Sequence, residues 1–210
     1  MTAPRIGTKG RLAFAGLVFG LALAATPPQA FAYGSGASTV QSLYDTLLTT
    51  MRNGATLGAR GRYGRIQPIV GQVFDVPFMT RLAVGPEWAS LSDALRQQVS
   101  QAFERYIAAI YAERFNSYSG ERFQVTGERP SPGGTIITTL IYKSSGEPVS
   151  VNYLMRDNGG VWQIADVYLD GTISELATRR SEFASILRTR GINGLIQVLN
   201  VKADTLARAS

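Results

Sequence analysis

Residues 135–169 read TIITTLIYKSSGEPVSVNYLMRDNGGVWQIADVYL, and the fold class turns on this stretch. Thr135 to Tyr142 is a β-branched run that Ser144-Ser145-Gly146 turns. Pro148 to Arg156 then sets Val149, Val151, Tyr153 and Met155 against Ser150 and Asn152, which is the period of a strand with one buried face. Asp157-Asn158-Gly159-Gly160 contains Asn-Gly, a pair that accepts positive φ and so marks a hairpin. Val161 to Leu169 follows as the last strand. Upstream, Phe123 and Val125 alternate with Arg122, Gln124 and Thr126, and Arg129 to Gly134 reads as a loop. Four sequential strands with short links predict an antiparallel meander.

On both sides of the meander the period is helical. Ser38 with Gln41 predicts a capping box, followed by Val40, Leu43, Tyr44, Leu47, Leu48 and Met51 at helical spacing. Asn53 to about Val73 is looser, because Gly54, Gly58, Gly61 and Gly64 each weaken a helix by about 1 kcal/mol relative to Ala. Such a helix either packs very closely on something or moves. Asp75 caps a short helix that Gly85-Pro86-Glu87-Trp88 breaks, and Ser90 and Asp93 open a long amphipathic one that ends at Asn116 to Gly120. After the strands, about Ser174–Arg190 and Ile192–Ala207 predict two more. Helices, then strands, then helices describe one α+β domain in which helices cover one face of a curved four-stranded sheet.

The N-terminus is read as an address. Arg5, Lys9 and Arg11 precede an apolar run from Leu12 to Ala25, and Ala30-Phe31-Ala32 supplies the small-x-small pattern of a cleavage site. The run is too short to favour a membrane span, which takes about 20 residues. Residues 1–32 are therefore expected to be a cleaved signal peptide, 33–37 a flexible tether and 38–210 the working domain, in the periplasm. The leader holds three of the 21 basic residues, which leaves 18 against 15 acidic.

Composition excludes several chemistries. The chain of 210 residues has no Cys and no His, so disulfides, thiol and Ser-His-Asp catalysis and Cys- or His-type metal sites are absent. No Gly-x-Ser-x-Gly, Ser-x-x-Lys or Walker loop occurs, and the Gly-rich stretch 58–64 lacks the preceding strand of a phosphate cradle. No cofactor, metal or nucleic acid is expected. Asp166, in an apolar strand, is a carboxylate bonded to backbone amides, one facing solvent, or a general base working with Tyr153. The 16 arginines after residue 32 include two clusters, Arg60, Arg62 and Arg65, and Arg179 with Arg180. Both are candidate contacts to an acidic partner or lipid headgroups.

Taken in order, Phe74-Asp75-Val76-Pro77-Phe78-Met79, Gly85-Pro86-Glu87-Trp88, Gln97, Phe103, Val149 to Tyr153, Gly160 to Val167, Asp170 to Ser174 and Arg180-Ser181-Glu182-Phe183 resemble the MlaC/Ttg2D (toluene tolerance) family of periplasmic lipid-binding proteins. The likeness covers about 38–200. Family members usually carry Glu-Gly-Val-Ser and Asn-Tyr-Arg where this chain has Asp170 to Ser174 and Ala177 to Arg180. Residues 171–183 look instead like the hopanoid-associated HpnM branch. The resemblance implies an NTF2-like fold enclosing a deep apolar cavity. It also implies a carrier that shuttles a hopanoid or phospholipid between an inner-membrane transporter (RND-type or MCE/ABC-type) and an outer-membrane lipoprotein acceptor.

The expected lipid-binding residues are Phe74, Phe78, Met79, Leu82 and Trp88 from the short helix and its surroundings, and Phe103, Tyr106 and Ile107 from the long helix. Val151, Tyr153, Val167 and Ile173 are expected to join them from the strands, with Phe183 and Leu187 from the last helices. The Gly-interrupted segment 54–64 is the expected movable wall. The alternatives are an NTF2-like isomerase or dehydratase using Asp166, and a structural adaptor in a membrane complex.

Overall fold

The computed structural model describes residues 36–144 and 146–208; the expected leader, 1–32, and residues 33–35 of the tether lie outside them. Helices α1 (Gly36–Arg52), α2 (Gly54–Val73) and α3 (Val76–Val84), a 3-10 turn (Gly85–Ser90) and α4 (Asp93–Arg114) precede five strands. These are β1 (Arg122–Ser131), β2 (Gly134–Tyr142), β3 (Val149–Asp157), β4 (Trp162–Leu169) and β5 (Ile173–Ser174), and α5 (Glu175–Leu206) follows. The sheet is antiparallel with order β1-β2-β3-β4-β5. Among the described residues no helix is long and apolar enough to cross a membrane.

The α+β meander is as the alternation implies, with one strand more. β5 is two residues long, Tyr168 facing Ser174 and Leu169 facing Ile173, too short to leave a periodic trace. The Arg129–Gly134 loop is also corrected: β1 runs on to Ser131, which pairs with Gly134, so Pro132-Gly133 alone makes the turn. Two bulges bend the sheet. Thr126 is the extra residue where the β1–β2 register shifts, and Ala165 the extra one between β3 and β4. An added residue in one strand of a pair increases local twist, and this curls the sheet around the helices.

α1 begins earlier than the Ser38 capping box implies. Gly36 and Ala37 are already helical and buried, so the last two tether residues belong to the domain, and Gln41 donates to Asp45 rather than closing a box. Close packing is the cause: a Cβ on Gly36 would stand 2.7 Å from Met155 Cγ. The carboxylate of Asp75 caps α3, accepting from Phe78 N at 3.2 Å, and also pairs with Arg156 at 2.6 Å. Ser92, not Ser90, caps α4.

α5 contains the break that separates two helices in the sequence, at Gly191 (φ 61°, ψ −172°). Its second part turns back along α4, where Arg105 donates to Asn200 and pairs with Asp204 at 2.7 Å. Gly58 breaks α2 in the same way (φ 58°, ψ −179°). Of the two readings of the glycine-rich segment, close packing holds at its start. A Cβ at Gly54 would lie 2.0 Å from the Asn116 carbonyl oxygen, and buried Arg62 donates to the carbonyls of Ala112 and Gly54.

These glycines are therefore not interchangeable. Gly54→Ala forces backbone apart and should cost about 2 kcal/mol or more, while Gly58→Ala places Cβ on a left-handed residue for about 1–2 kcal/mol. Gly64 is helical with open space around it, so Gly64→Ala should gain about 0.5–1 kcal/mol. Urea denaturation of the three variants at constant slope checks the order.

Candidate functional site

A partly enclosed cavity of about 100 Å³ lies between the curved sheet and the helices. Ile141 of β2, Val151 and Tyr153 of β3, and Val167 and Leu169 of β4 form one wall. The two-residue spacing within β3 and β4 is what puts these side chains on a common face. α4 supplies Phe103, Ile107, Ile110 and Tyr111 along one stripe, with Arg114 and Phe115 at its end. The first turns of α5 add Glu175, Leu176 and Arg179, and Phe74 and Met79 close the side.

Aromatic lining residues continue a chain of ring contacts through the core, edge-to-face except for the tilted Tyr111–Phe115 pair. Phe74 meets Tyr111 at 5.7 Å, Tyr111 meets Phe115 at 5.6 Å, Phe115 meets Phe123 at 5.7 Å and Phe123 meets Tyr44 at 4.8 Å. Tyr44 then meets Tyr153 at 5.8 Å. Rings in this arrangement hold one another in place beyond what burial alone gives, so the wall is rigid. Thr139 Oγ1 donates to the Val151 carbonyl, so across their 2.5 Å contact Tyr44 is the donor to Thr139. Burial pushes the Tyr44 phenol up to about 12. It holds Tyr111 and Tyr153 well above the usual phenol value too, helped for Tyr111 by Tyr44 and for Tyr153 by Tyr44 and Tyr111. All three stay neutral, as an apolar cavity requires.

The charged residues at the cavity are Arg114, Glu175 and Arg179. Arg179 NH1 donates to both oxygens of Glu182, at 3.0 and 2.8 Å, and its NH2 to Glu175 at 3.0 Å. Its guanidinium stands 5.6 Å from the centre of the Tyr106 ring. Burial alone would lower Arg179, but Tyr106, Glu182 and Glu175 together outweigh it and raise the group.

Asp166 does not line the cavity. Its Oδ1 accepts from Val167 N at 2.7 Å and Leu176 N at 3.0 Å, and its Oδ2 from Ser174 Oγ at 2.6 Å. Burial raises it above the ordinary aspartate value, against the lowering effect of those three donors. Of the three readings of this residue, the carboxylate bonded to backbone amides is the one found.

The model of the MlaC protein family matches residues 41–201. The chain belongs to the MlaC family. A phospholipid-binding protein from Ralstonia solanacearum, solved in complex with a phospholipid at 1.53 Å, shares its fold. The TM-score is 0.68 at 22% identity, over 82% of this chain and 99% of that one.

With the MlaC fold in place, the expected residues separate. Phe74, Met79, Phe103, Ile107, Val151, Tyr153 and Val167 line the cavity. Tyr106, Phe183 and Leu187 are buried but lie outside its wall, Phe183 edge-on to Phe103 at 5.2 Å and Tyr106 between Arg179 and Lys202. Phe78 lies under Arg156 at 3.8 Å, Trp88 packs beside Arg96, and Leu82 and Ile173 are exposed. Ile110, Tyr111, Phe115, Ile141, Leu169 and Leu176 line the cavity beyond the expected set. The stripe Ile107-Ile110-Tyr111 is the sequence signal that could have found the first two.

The arginine clusters divide as well. Arg60, Arg65 and Arg180 are exposed, whereas Arg62 is buried against carbonyls and Arg179 is held in the cavity wall. The expected movable wall is corrected too, because no residue of 54–64 borders the cavity.

Removing the Asp166 carboxylate should strand two buried amides, so Asp166→Ala should lower stability by about 2–4 kcal/mol and Asp166→Asn by less. A raised folded-state value means that ionising Asp166 works against folding. That cost is absent below the unfolded-state value near pH 4 and grows until pH passes the folded-state value. The gap between native protein and Asp166→Asn should therefore narrow from about pH 3 to pH 7, measured by denaturant midpoints.

Proposed function

We propose that the chain is a periplasmic lipid carrier that takes the apolar part of one hopanoid or phospholipid into this cavity and shuttles it between the inner and outer membranes. The observation that carries the reading is the cavity itself, a space bounded by sheet, α4 and α5 whose lining is apolar except at one group of charges. Each buried methylene contributes about 0.8 kcal/mol, so such a lining binds acyl or polycyclic carbon with no catalytic group. A protein of the same fold binds a phospholipid, which supports that ligand class. The resemblance of residues 171–183 to the hopanoid-associated branch supports the other.

Two observations weigh against the enzyme alternative. Asp166 engages both oxygens with the Ser174 hydroxyl and two backbone amides and is absent from the cavity lining. Tyr153, which does line it, is a neutral buried phenol. The carrier's partners in this reading are an RND-type or MCE/ABC-type inner-membrane transporter and an outer-membrane lipoprotein, with Arg60, Arg65 and Arg180 as the exposed contacts.

The cavity must enlarge for this task, since pockets for lipid-sized ligands run to about 300–1,000 Å³. Native mass spectrometry of protein purified from its own periplasm should show one lipid per chain and identify it as phospholipid or hopanoid. Val167→Phe, which fills the space from β4, should abolish the lipid adduct while leaving the circular dichroism spectrum intact. Protein that carries no lipid in any preparation, or a Val167→Phe variant that loads normally, would overturn the proposal.

A further inference from the structure

A second concave site lies away from the cavity, where α3, the 3-10 turn and α4 meet. It is an open groove of about 350 Å³. Val76 and Pro77 of α3 and Trp88 of the turn give it apolar sides, and α4 lays Gln97, Ser100, Gln101 and Glu104 along it. The spacing of those four residues puts them on one stripe of the helix. Trp88 and Gln97 carry part of the sequence pattern described above, yet neither borders the cavity; the fold brings them together here.

The two ends of the groove differ in charge. At the Trp88 end Arg96 is fully engaged. Its Nε donates to the Trp88 carbonyl at 3.3 Å, Nη1 to Asp93 at 3.2 Å and Nη2 to the Ala89 carbonyl at 3.2 Å. At the far end Glu104 lies against the backbone of α2, where a Cβ on Gly71 would come within 3.1 Å of its Oε1. No cation of the described residues lies within ion-pairing distance of Glu104. Burial raises its proton affinity, and no neighbouring cation opposes the effect. A half-buried carboxylate without a counter-charge is costly to keep ionised. The side chains of Gln97, Ser100 and Gln101 also make no hydrogen bond among the described residues, although each carboxamide offers both donor and acceptor.

We infer that this groove receives an extended segment of a partner protein, with a lysine or arginine of that segment paired to Glu104. Main-chain amides of the segment meet Gln97 and Gln101, and an apolar side chain lies against Pro77 and Trp88. Gln97 and Glu104 are seven residues apart on α4, about 10 Å along the helix, which about three to four residues of extended chain span. An anionic bilayer has the wrong sign for a groove whose unanswered charge is a carboxylate. A free amine answers Glu104 and leaves the carboxamides unused. No residue of the groove borders the cavity, so the inference stands apart from the carrier reading.

The test titrates the peptide acetyl-Leu-Ser-Leu-Lys-amide into the purified protein and follows the indole N–H resonance of Trp88. The chain has two tryptophans, and Trp88→Phe assigns which signal is which. The lysine peptide should shift the Trp88 signal and bind roughly three- to tenfold more tightly than its norleucine counterpart, which lacks only the charge. Glu104→Gln should remove that preference while leaving the norleucine peptide's affinity and the circular dichroism spectrum unchanged. A Trp88 signal that no peptide shifts, equal affinity for the two peptides, or a preference that survives Glu104→Gln overturns the inference. Hexylamine that binds as tightly as the lysine peptide shows a site for a free amine and overturns it too. So does a response to phosphatidylglycerol vesicles in place of the peptide. Lipid loading, read by native mass spectrometry, should be the same in Glu104→Gln as in the native protein, so either reading can fail without the other.

Discussion

The Asp166 carboxylate is the contact on which the arrangement of the site depends. It bonds its own neighbour's amide on β4, the hydroxyl of Ser174 that in turn caps α5, and the amide of Leu176 in the first turn of that helix. One buried group thus fixes where α5 starts relative to the sheet. Glu175, Leu176 and Arg179 follow immediately, and they are the cavity's boundary on that side. A carboxylate in so enclosed a place is costly unless its lone pairs are satisfied. Here three donors meet it, and its raised proton affinity records that burial still outweighs them.

Around that fixed point the cavity is kept open by stiffness on two sides. The aromatic chain from Phe74 to Tyr153 holds the sheet-side wall and the end of α4 in register. Arg105, through Asn200 and Asp204, fastens the returning part of α5 to α4. An unfilled apolar space of about 100 Å³ costs up to about 2 kcal/mol at roughly 24 cal/mol per Å³, a tolerable fraction of a stability of about 5–15 kcal/mol. Apolar carbon entering the space removes that cost, so stability is coupled to occupancy. At the break in α5, the position a Cβ of residue 191 would take meets nothing within 4 Å outside its own stretch of chain.

Much of this is legible in the sequence, and what is not has physical causes. Period-two alternation in β1 and β3, the β-branched run of β2 and the Asn-Gly turn before β4 make the four longer strands legible. Gly191 separates the last two helical stretches because a residue with φ near 60° interrupts any helix. β5 has only two residues to show, and α1 is extended backwards by the packing of Gly36 on Met155, a tertiary effect. Within the cavity, Met79, Phe103 and Ile107 follow from helix stripes, but Tyr106 and Phe183 belong to the same apolar faces and lie outside the wall. The direction of a stripe depends on where the neighbour lies, and local sequence is silent on that. Arg179 reads as a surface contact because a charged residue near a helix start is ordinarily solvated; only its pairing with Glu175 and Glu182 makes an enclosed position tolerable.

A curved sheet closed by helices can host catalysis or simple containment, and the choice lies in the polar groups that reach the hollow. Catalysis of proton transfer needs a group whose proton is available near neutral pH. The phenols here are moved away from that range by burial, and the aspartate with a raised value has its oxygens engaged behind the wall. The charged groups on the lining are the guanidinium groups of Arg114 and Arg179 and the carboxylate of Glu175. Unreactive carbon lining the hollow suits containment of a ligand better than its transformation, as the carrier proposed above requires.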